Sequence, residues 1–207
     1  MFQIMLENQK FQFGSKEKIF KRVNLEILKT SNLTNNNIII SGGKSIIGFY
    51  KYLNNFKAKI ILSDERVVKK NSKMSNYKNI IGYVDNIKRL TWPNEKFYQI
   101  KDLKKKIKYS EDIISKKKIS MSILTIGEDG HIASIFKKNL KKSLKEKSIS
   151  SIKNKKEKFY RVSISLKKIN SIKKNIIVII GKKKSLLLKK KNLPFLKVKN
   201  SIIFFTY

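Results

Sequence analysis

The chain has 207 residues, 41% of them hydrophobic, so it carries enough apolar material for a buried core and is not a disordered chain. Its 49 Lys and Arg against 14 Asp and Glu give a formal net charge of +35, which alone would suggest a nucleic acid or an anionic membrane as partner. Only four of the basic residues are Arg, however, and Ala occurs only twice. This bias toward residues with A+T-rich codons assigns most of the charge to an A+T-rich genome.

Residue counts also exclude disulfide-stabilised and zinc-binding proteins, because the chain has no Cys and one His. The longest apolar run, residues 176–180, is far shorter than the roughly 20 residues of a membrane span. The first ten residues do not have the pattern of a secretory signal. We therefore expect a cytoplasmic protein, without a metal, organic cofactor or membrane partner.

Short apolar runs typical of strands alternate with longer, Lys-containing stretches typical of helices. In chain order, the predicted strands are residues 37–41, 59–63, 121–126, 159–163, 175–180 and 201–206. The predicted helices are residues 16–30, 45–54, 75–88, 103–117, 132–139, 166–174 and 182–191. This alternation predicts an α/β fold with a mostly parallel sheet between layers of helices, in one domain over residues 1–207.

Two segments depart from the alternation. Residues 2–13 predict a small antiparallel hairpin at an edge of the sheet. Residues 137–158 are dominated by Lys, Ser and Asn, which predicts a solvated loop or a frayed helix.

Ligands of open α/β sheets bind beyond the carboxyl ends of the strands, and the first such loop here is Ser41-Gly42-Gly43-Lys44-Ser45. Paired glycines allow backbone N–H groups to turn toward an anion, and the following helix N-terminus favours negative charge. The alternative is a plain turn after a strand.

The second loop begins with Asp64-Glu65-Arg66, after the strand predicted at residues 59–63. Arg66 is a candidate anion ligand, with the two acids holding its guanidinium in place. The alternative is a surface ion pair at a strand end.

The third loop, residues 127–134, contains Gly127, Asp129, Gly130 and the only His of the chain, His131. A helix predicted to begin here would disfavour the imidazolium and keep His131 neutral, as a base needs. The alternative is a capping turn in which Asp129 serves the helix and His131 only packs. Scarce residues favour the functional interpretation, since the single His and one of two Ala, Ala133, fall within three positions.

Two further basic residues follow predicted strands or lie near their ends. Arg161 lies near the end of the strand at residues 159–163, and Lys184 follows Gly181 after the strand at residues 175–180. A Lys in this position is in most cases a solvated surface charge, but this one falls at the same sheet edge as the three loops.

The order of these motifs resembles the 6-phosphogluconolactonases, members of the wider group of sugar-phosphate isomerases and deaminases. The stretches SGGKSI, SDERVV followed by Ser75-Asn76, GEDGHIASIF, RVSISL and GKKK are similar to the family's SGGSTP, DERxV…SN, GxDGHTASLFP, RxTLT and GxxK. The chain differs from the family pattern at three places. It has Lys44-Ser45-Ile46 in the first loop, Ile132 where the family has Thr, and Lys137 where the family has Pro.

This resemblance implies a three-layer α/β/α sandwich and hydrolysis of 6-phospho-D-glucono-1,5-lactone to 6-phosphogluconate, the second step of the oxidative pentose phosphate pathway. It implies His131 as the general base, with Asp129 orienting it and no cofactor. It places the substrate phosphate among Ser41, Gly42, Gly43, Arg66, Arg161 and Lys184. Supporting positions are Asp64, Glu65, Asn76, Gly127 and Gly130. The expected partner is the sugar-phosphate lactone, and the protein is expected to be a monomer.

Three alternatives to a 6-phosphogluconolactonase remain open from the sequence. Glucosamine-6-phosphate deaminases share the fold and show DGHIA, but continue with Phe-Asn-Glu where this chain has Ser134-Ile135-Phe136, and have Asp-Glu-Tyr where it has Arg66. A basic nucleic-acid-binding module is favoured by the charge but not by the excess of Lys over Arg. The third alternative is an inactive relative.

Overall fold

The computed structural model describes residues 10–30, 36–55, 57–84, 87–153 and 159–207, and in these ranges ten strands form two sheets. The strands are β1 (Lys10–Phe13), β2 (Asn37–Ile40), β3 (Lys59–Leu62), β4 (Asp64–Arg66), β5 (Leu90–Trp92), β6 (Ile119–Thr125), β7 (Ile149–Lys153), β8 (Tyr160–Ile164), β9 (Lys174–Ile179) and β10 (Ser201–Phe205). The central sheet has seven strands in the order β1-β10-β9-β6-β2-β3-β5, and every neighbouring pair is parallel.

Helices flank this sheet, so the predicted α/β sandwich with a mostly parallel sheet is confirmed. The α-helices are α1 (Lys16–Leu28), α2 (Asn76–Ile81), α3 (Glu95–Gln99), α4 (Leu103–Ser115), α5 (Leu140–Lys145), α6 (Leu166–Asn170) and α7 (Lys182–Ser185). Five 3₁₀ helices are described as well, at Lys44–Asn55, Ile87–Arg89, Lys137–Asn139, Leu186–Lys189 and Pro194–Lys197. The predicted helix at residues 45–54 is therefore present, but with the tighter 3₁₀ geometry.

Local sequence explains where the longer elements begin and what they bury. Ser15, Ser75 and Asp102 accept a hydrogen bond from the backbone N–H three residues on, which caps α1, α2 and α4. The unbroken apolar run of β2 is buried at all four positions, as is typical of a strand covered on both faces. The core of the protein lies on the two faces of the central sheet.

A second sheet has the order β4-β8-β7 and is antiparallel. The strand predicted at residues 159–163 is thus present but belongs to this small sheet. For residues 137–158 the prediction of a solvated loop or a frayed helix is wrong at β7, whereas residues 140–145 form the short helix α5; residues 154–158 lie outside the described ranges. Ile149 and Ile152 are buried, and so are Ser148 and Ser150, so this Ser-containing segment packs into the protein instead of facing solvent.

Several predicted boundaries are also wrong. No helix covers residues 132–139, where a loop with two short antiparallel bridges leads into a 3₁₀ turn. The helix predicted at residues 75–88 ends before Gly82, and β5 was missed. The helices at residues 166–174 and 182–191 are shorter, because β9 begins at Lys174 and a 3₁₀ turn follows Ser185.

The amino-terminal edge also differs from the predicted hairpin. The strand β1 forms an edge of the central sheet, but it pairs in parallel with β10. The other half of the predicted hairpin falls on residues 1–9, outside the described ranges. Among the helices that the structure describes, none has the length and apolar character needed to cross a membrane.

Candidate active site

A cleft of about 500 Å³ opens at the carboxyl ends of the central strands. Strand order runs in one direction from β2 through β3 to β5 and in the other from β6 through β9, so the loops after β2 and β6 diverge there. Such a switch point is where open α/β sheets bind ligands. The cleft is lined by Ser41, Gly43, Ser45, Asp64, Arg66, Asn76, Thr125, Ile126, Gly127, His131, Ala133, Arg161 and Lys184.

This lining brings together nine of the residues singled out from the sequence, from five separate stretches of the chain. Four others do not line the cleft: Gly42, Glu65, Asp129 and Gly130. Ser45 and Ala133 also line the cleft, and both belong to loops named from the sequence without a role of their own. Sequence reasoning missed Thr125 and Ile126, whose only signal was their position directly before Gly127.

The imidazole of His131 is paired with the carboxylate of Asp129. Its Nδ1 lies 2.5 Å from Asp129 Oδ1, and the same oxygen accepts a hydrogen bond from the His131 backbone N–H. A carboxylate only accepts hydrogen bonds, so Nδ1 carries the proton and Nε2 is the nitrogen with the lone pair in the neutral ring. The hydrogen bond from His131 lowers the pKa of Asp129 to about 2, so this carboxylate is ionised at neutral pH.

Backbone turns, rather than a helix, fix the place of His131. Gly127 donates its N–H to the His131 carbonyl, and Gly130 adopts a positive φ of 80°. The helix-terminus argument for a neutral His131 is therefore wrong; the pairing with Asp129 determines its tautomer instead. The ring lies directly over Gly127, where an added Cβ would come within 2.1 Å of it.

Alternation along β4 decides which of its three residues face the cleft. Asp64 and Arg66 are two residues apart and lie on one face, while Glu65 points to the other. In the antiparallel pairing with β8, Arg66 is directly opposite Arg161. Like charges at opposed positions are destabilising, so this pair concentrates positive charge at the cleft at a cost to the sheet.

The acids of the Asp-Glu-Arg motif do not hold the Arg66 guanidinium as expected. Arg66 instead donates from Nη1 to the carbonyl of Met74 at 2.5 Å. Its buried Nε has no hydrogen-bond partner within the described part of the chain.

Glu65 is fully buried and caps α2 rather than contacting the cleft. Its carboxylate accepts hydrogen bonds from the backbone N–H groups of Asn76 and Tyr77 and from the Tyr98 hydroxyl. Burial raises the pKa of this carboxyl, against the effect of these donors. By fixing the start of α2, Glu65 places Asn76 at the cleft.

Asp64 is also buried and organises several side chains at the cleft. It accepts hydrogen bonds from Ser63 and Asn76 at one oxygen and from Ser134 at the other. The second oxygen lies 3.7 Å from Nη1 of Arg161, which is itself only 5% exposed. Arg161 thus lines the cleft and has the buried Asp64 carboxylate as its counter-ion.

Lys184 supplies the third cation of the cleft, from the first turn after Gly181. Its Nζ donates to the hydroxyl of Ser45 at 3.1 Å, which connects α7 to the segment after β2. Burial lowers the pKa of Lys184, with Glu128 acting in the opposite direction. Gly42 lies behind this loop, where a Cβ would approach that of Asn76 to 2.3 Å.

The cleft combines one base with three cations, which suits attack on a carbonyl of an anionic substrate. In the part of the chain that the structure describes, no group of three His, Cys, Asp or Glu side chains is arranged to hold a metal ion. A base of this kind can activate water, and the cations can bind a phosphate through charge-assisted hydrogen bonds.

Comparison with known proteins gives one family match. A family model described as glucosamine-6-phosphate isomerases/6-phosphogluconolactonase matches residues 16–193. No curated protein matches the chain.

Solved structures show the same fold at low sequence identity. A 6-phosphogluconolactonase from Thermotoga maritima has a TM-score of 0.76 and 22% identity, over 96% of this chain and 99% of that one. One from Shewanella baltica has a TM-score of 0.83 and 15% identity, over 99% and 100%. A monomeric glucosamine-6-phosphate deaminase has a TM-score of 0.73 and 16% identity, over 95% and 97%.

Proposed function

Since the chain belongs to the glucosamine-6-phosphate isomerase/6-phosphogluconolactonase family, we propose that it hydrolyses 6-phospho-D-glucono-1,5-lactone to 6-phospho-D-gluconate, the second step of the oxidative pentose phosphate pathway. The observation that carries the proposal is the Asp129–His131 pair facing a cleft that also holds Arg66, Arg161 and Lys184. We also propose that residues 1–207 act as one domain and as a monomer in the cytoplasm, without a cofactor.

His131 acts as the general base in this mechanism. Nε2 takes a proton from a water molecule as its oxygen adds to the lactone carbonyl, which gives a tetrahedral oxyanion. The imidazolium formed is stabilised by the adjacent Asp129 carboxylate. When the oxyanion collapses, the bond from C1 to the ring oxygen breaks, and the imidazolium returns its proton to that oxygen. The product is the open-chain acid, and His131 is neutral again.

The three cations bind the phosphate and so determine where the lactone lies. Guanidinium groups match phosphate oxygens in pairs, and Lys184 adds a point charge in the same cleft. The backbone of Gly43 lines the cleft beside Ser45 and can donate to the same anion. Binding of the phosphate holds the carbonyl at the other end of the sugar next to His131. The base and the carbonyl are then already in reactive geometry when the lactone is bound.

Deamination of glucosamine 6-phosphate is the alternative on the same fold, and one contact disfavours it. Deaminase relatives show Glu at the position of Phe136, so they have a second carboxylate near the His. Here the ring of Phe136 packs against His131, with centroids 4.5 Å apart. His131 is therefore backed by one carboxylate and one apolar ring, which suits a base for water more than a carboxylate-flanked proton shuttle.

A coupled assay tests the proposal. The lactone is generated in place by glucose-6-phosphate dehydrogenase, and 6-phosphogluconate formation is followed with and without the purified protein. We expect formation to be much faster than the spontaneous opening of the lactone. Product formation at the spontaneous rate, or release of ammonia from glucosamine 6-phosphate in a parallel reaction, contradicts the proposal.

A further inference from the structure

A buried serine, Ser134, lies between the Asp64 carboxylate and the Arg161 guanidinium. Its hydroxyl donates to Asp64 Oδ2 at 2.5 Å and accepts from Arg161 Nη1 at 3.4 Å. The direct distance from Nη1 to Oδ2 is 3.7 Å, which is too long for a hydrogen bond. The serine hydroxyl therefore connects the two charges, and they do not form a direct hydrogen-bonded pair at this oxygen.

The backbone holds Ser134 firmly at this point. Its N–H donates to the hydroxyl of Ser163 at 3.1 Å, and Ser163 is the β8 residue opposite Asp64. The preceding residue, Ala133, adopts a positive φ of 52°, and Ile132 and Ile135 exchange backbone hydrogen bonds around the turn. Ser134 is 0% exposed and does not line the cleft, so it acts only through its neighbours.

The spacing matters because Arg and a carboxylate in direct contact form a strong bidentate pair. Such a pair would draw the Arg161 guanidinium toward Asp64 and away from an incoming anion. With the Ser134 hydroxyl on Oδ2, that approach is blocked, while the rings of Phe136 and Phe159 lie 5.9 and 6.0 Å from the guanidinium carbon. Arg161 is thus held where it lines the cleft.

We propose that Ser134 is a positioning residue that keeps Arg161 separated from Asp64 and directed at the substrate phosphate. This inference rests on the proposed function and deepens it, because it assigns the phosphate affinity to a residue that never touches the phosphate. It requires that loss of the hydroxyl weakens anion binding and leaves the chemistry at His131 nearly unchanged.

The test compares Ser134→Ala with the wild-type protein. We expect KM for the lactone, and the Kd for inorganic phosphate by calorimetry, to rise about tenfold or more while kcat changes less than about threefold. Ser143→Ala is the matched control, because Ser143 is equally buried and its hydroxyl accepts one hydrogen bond, from Leu166 N–H, away from the cleft. Unchanged phosphate affinity in Ser134→Ala overturns the inference.

A double-mutant cycle separates positioning from a general loss of structure. On an Asp64→Asn background there is no carboxylate for Arg161 to approach, so Ser134→Ala should cost much less phosphate affinity than it does in the wild type. An equal cost on both backgrounds overturns the inference. If Ser134→Ala does not fold, Ser134→Cys keeps the volume with a much weaker hydrogen-bonding group and should show the same loss.

The phosphate measurement needs no turnover, which keeps the two proposals distinguishable. A wild-type protein that binds phosphate in a Ser134-dependent way but does not accelerate lactone opening contradicts the proposed function only. A wild-type protein that hydrolyses the lactone with a Ser134→Ala variant of normal KM contradicts the positioning role only.

Discussion

The protein has two basic cavities, and they are built in different ways. The cleft at the carboxyl ends of the strands has a volume of about 500 Å³. The other, beside the edge strand β5, is about 940 Å³. It is lined by four lysines together with Tyr77, Leu90, Thr91, Asn94 and Glu95; the lysines are Lys59, Lys70, Lys88 and Lys117.

The larger cavity carries more lysines, but none of the four is buried. Lys59 is exposed, and Lys70 pairs with Glu95 and lies 4.9 Å from the centroid of the Tyr77 ring. In the cleft, by contrast, Arg161 is buried and Lys184 is half-buried, each with a hydrogen bond to a neighbouring serine. The two cavities therefore differ in the burial and the partners of their cations more than in the number of lysines.

The largest expected effect is a loss of kcat on replacement of His131, and the lining of the other cavity contains no His. Replacing His131 by Ala should lower kcat for lactone hydrolysis by about 10²-fold or more, because the base is lost, while the Kd for phosphate stays near the wild-type value. Steady-state kinetics and phosphate calorimetry measure the two quantities. Near-native turnover of this variant would show that His131 is not the base.

The second-largest expected effect is on KM, and its test compares one cation from each cavity. Arg66→Ala should raise KM about tenfold or more by removing a charge-assisted contact with the phosphate. Lys59→Ala, in the larger cavity, should leave KM and kcat unchanged, although it removes the same formal charge. Equal shifts in KM for both variants would show that net charge, rather than positioned cations, binds the substrate.

A smaller effect is expected at Gly127, under the His131 ring. Gly127→Ala places a Cβ within 2.1 Å of that ring and should lower kcat by about tenfold through misplacement of the base. Gly82→Ala is the control, since no atom lies within 4 Å of its added Cβ, and it should be neutral or slightly stabilising. Steady-state kinetics and thermal unfolding of both variants measure these effects. Normal turnover of Gly127→Ala would contradict the position of the His131 ring over Gly127.

The smallest effect concerns the pH dependence of stability at Asp129. Its pKa is lowered from 3.8 to about 2, so the stabilisation from the Asp129–His131 pair is present above about pH 4 and is lost as the pH falls toward 2. The difference in unfolding temperature between the wild type and Asp129→Asn should therefore shrink as the pH falls below about 4. A difference that stays constant over that range contradicts the lowered pKa.

The sequence predicted the central sheet well because its strands are unbroken apolar runs. Residues 38–40 and 176–179 have no polar alternation, and the structure buries them on both faces of the sheet. Boundaries of the short helices were less predictable, since α6 and α7 have five and four residues and their caps are single Ser or Gly positions.

The small antiparallel sheet was largely missed for a physical reason. Asp64, Glu65 and Arg66 have low intrinsic preference for strands, so β4 depends on its pairing with β8 and not on local sequence. For the same reason the sequence predicted that scarce residues would meet at one edge, but not that Arg66 would lie opposite Arg161. That juxtaposition is set by the register of two strands about a hundred residues apart in sequence.

A single residue, Ser63, joins the two sheets. It is fully buried, donates its N–H to Ile40 in the central sheet and accepts with its carbonyl from Ile164 in the small sheet. The central sheet, which forms the floor of the cleft, and β4, which carries Arg66, are therefore joined by one buried residue, and the connection from β3 to β4 has no length that could act as a hinge. We expect any closure around a bound sugar phosphate to come from side chains such as Lys184 and from the loops after the strands.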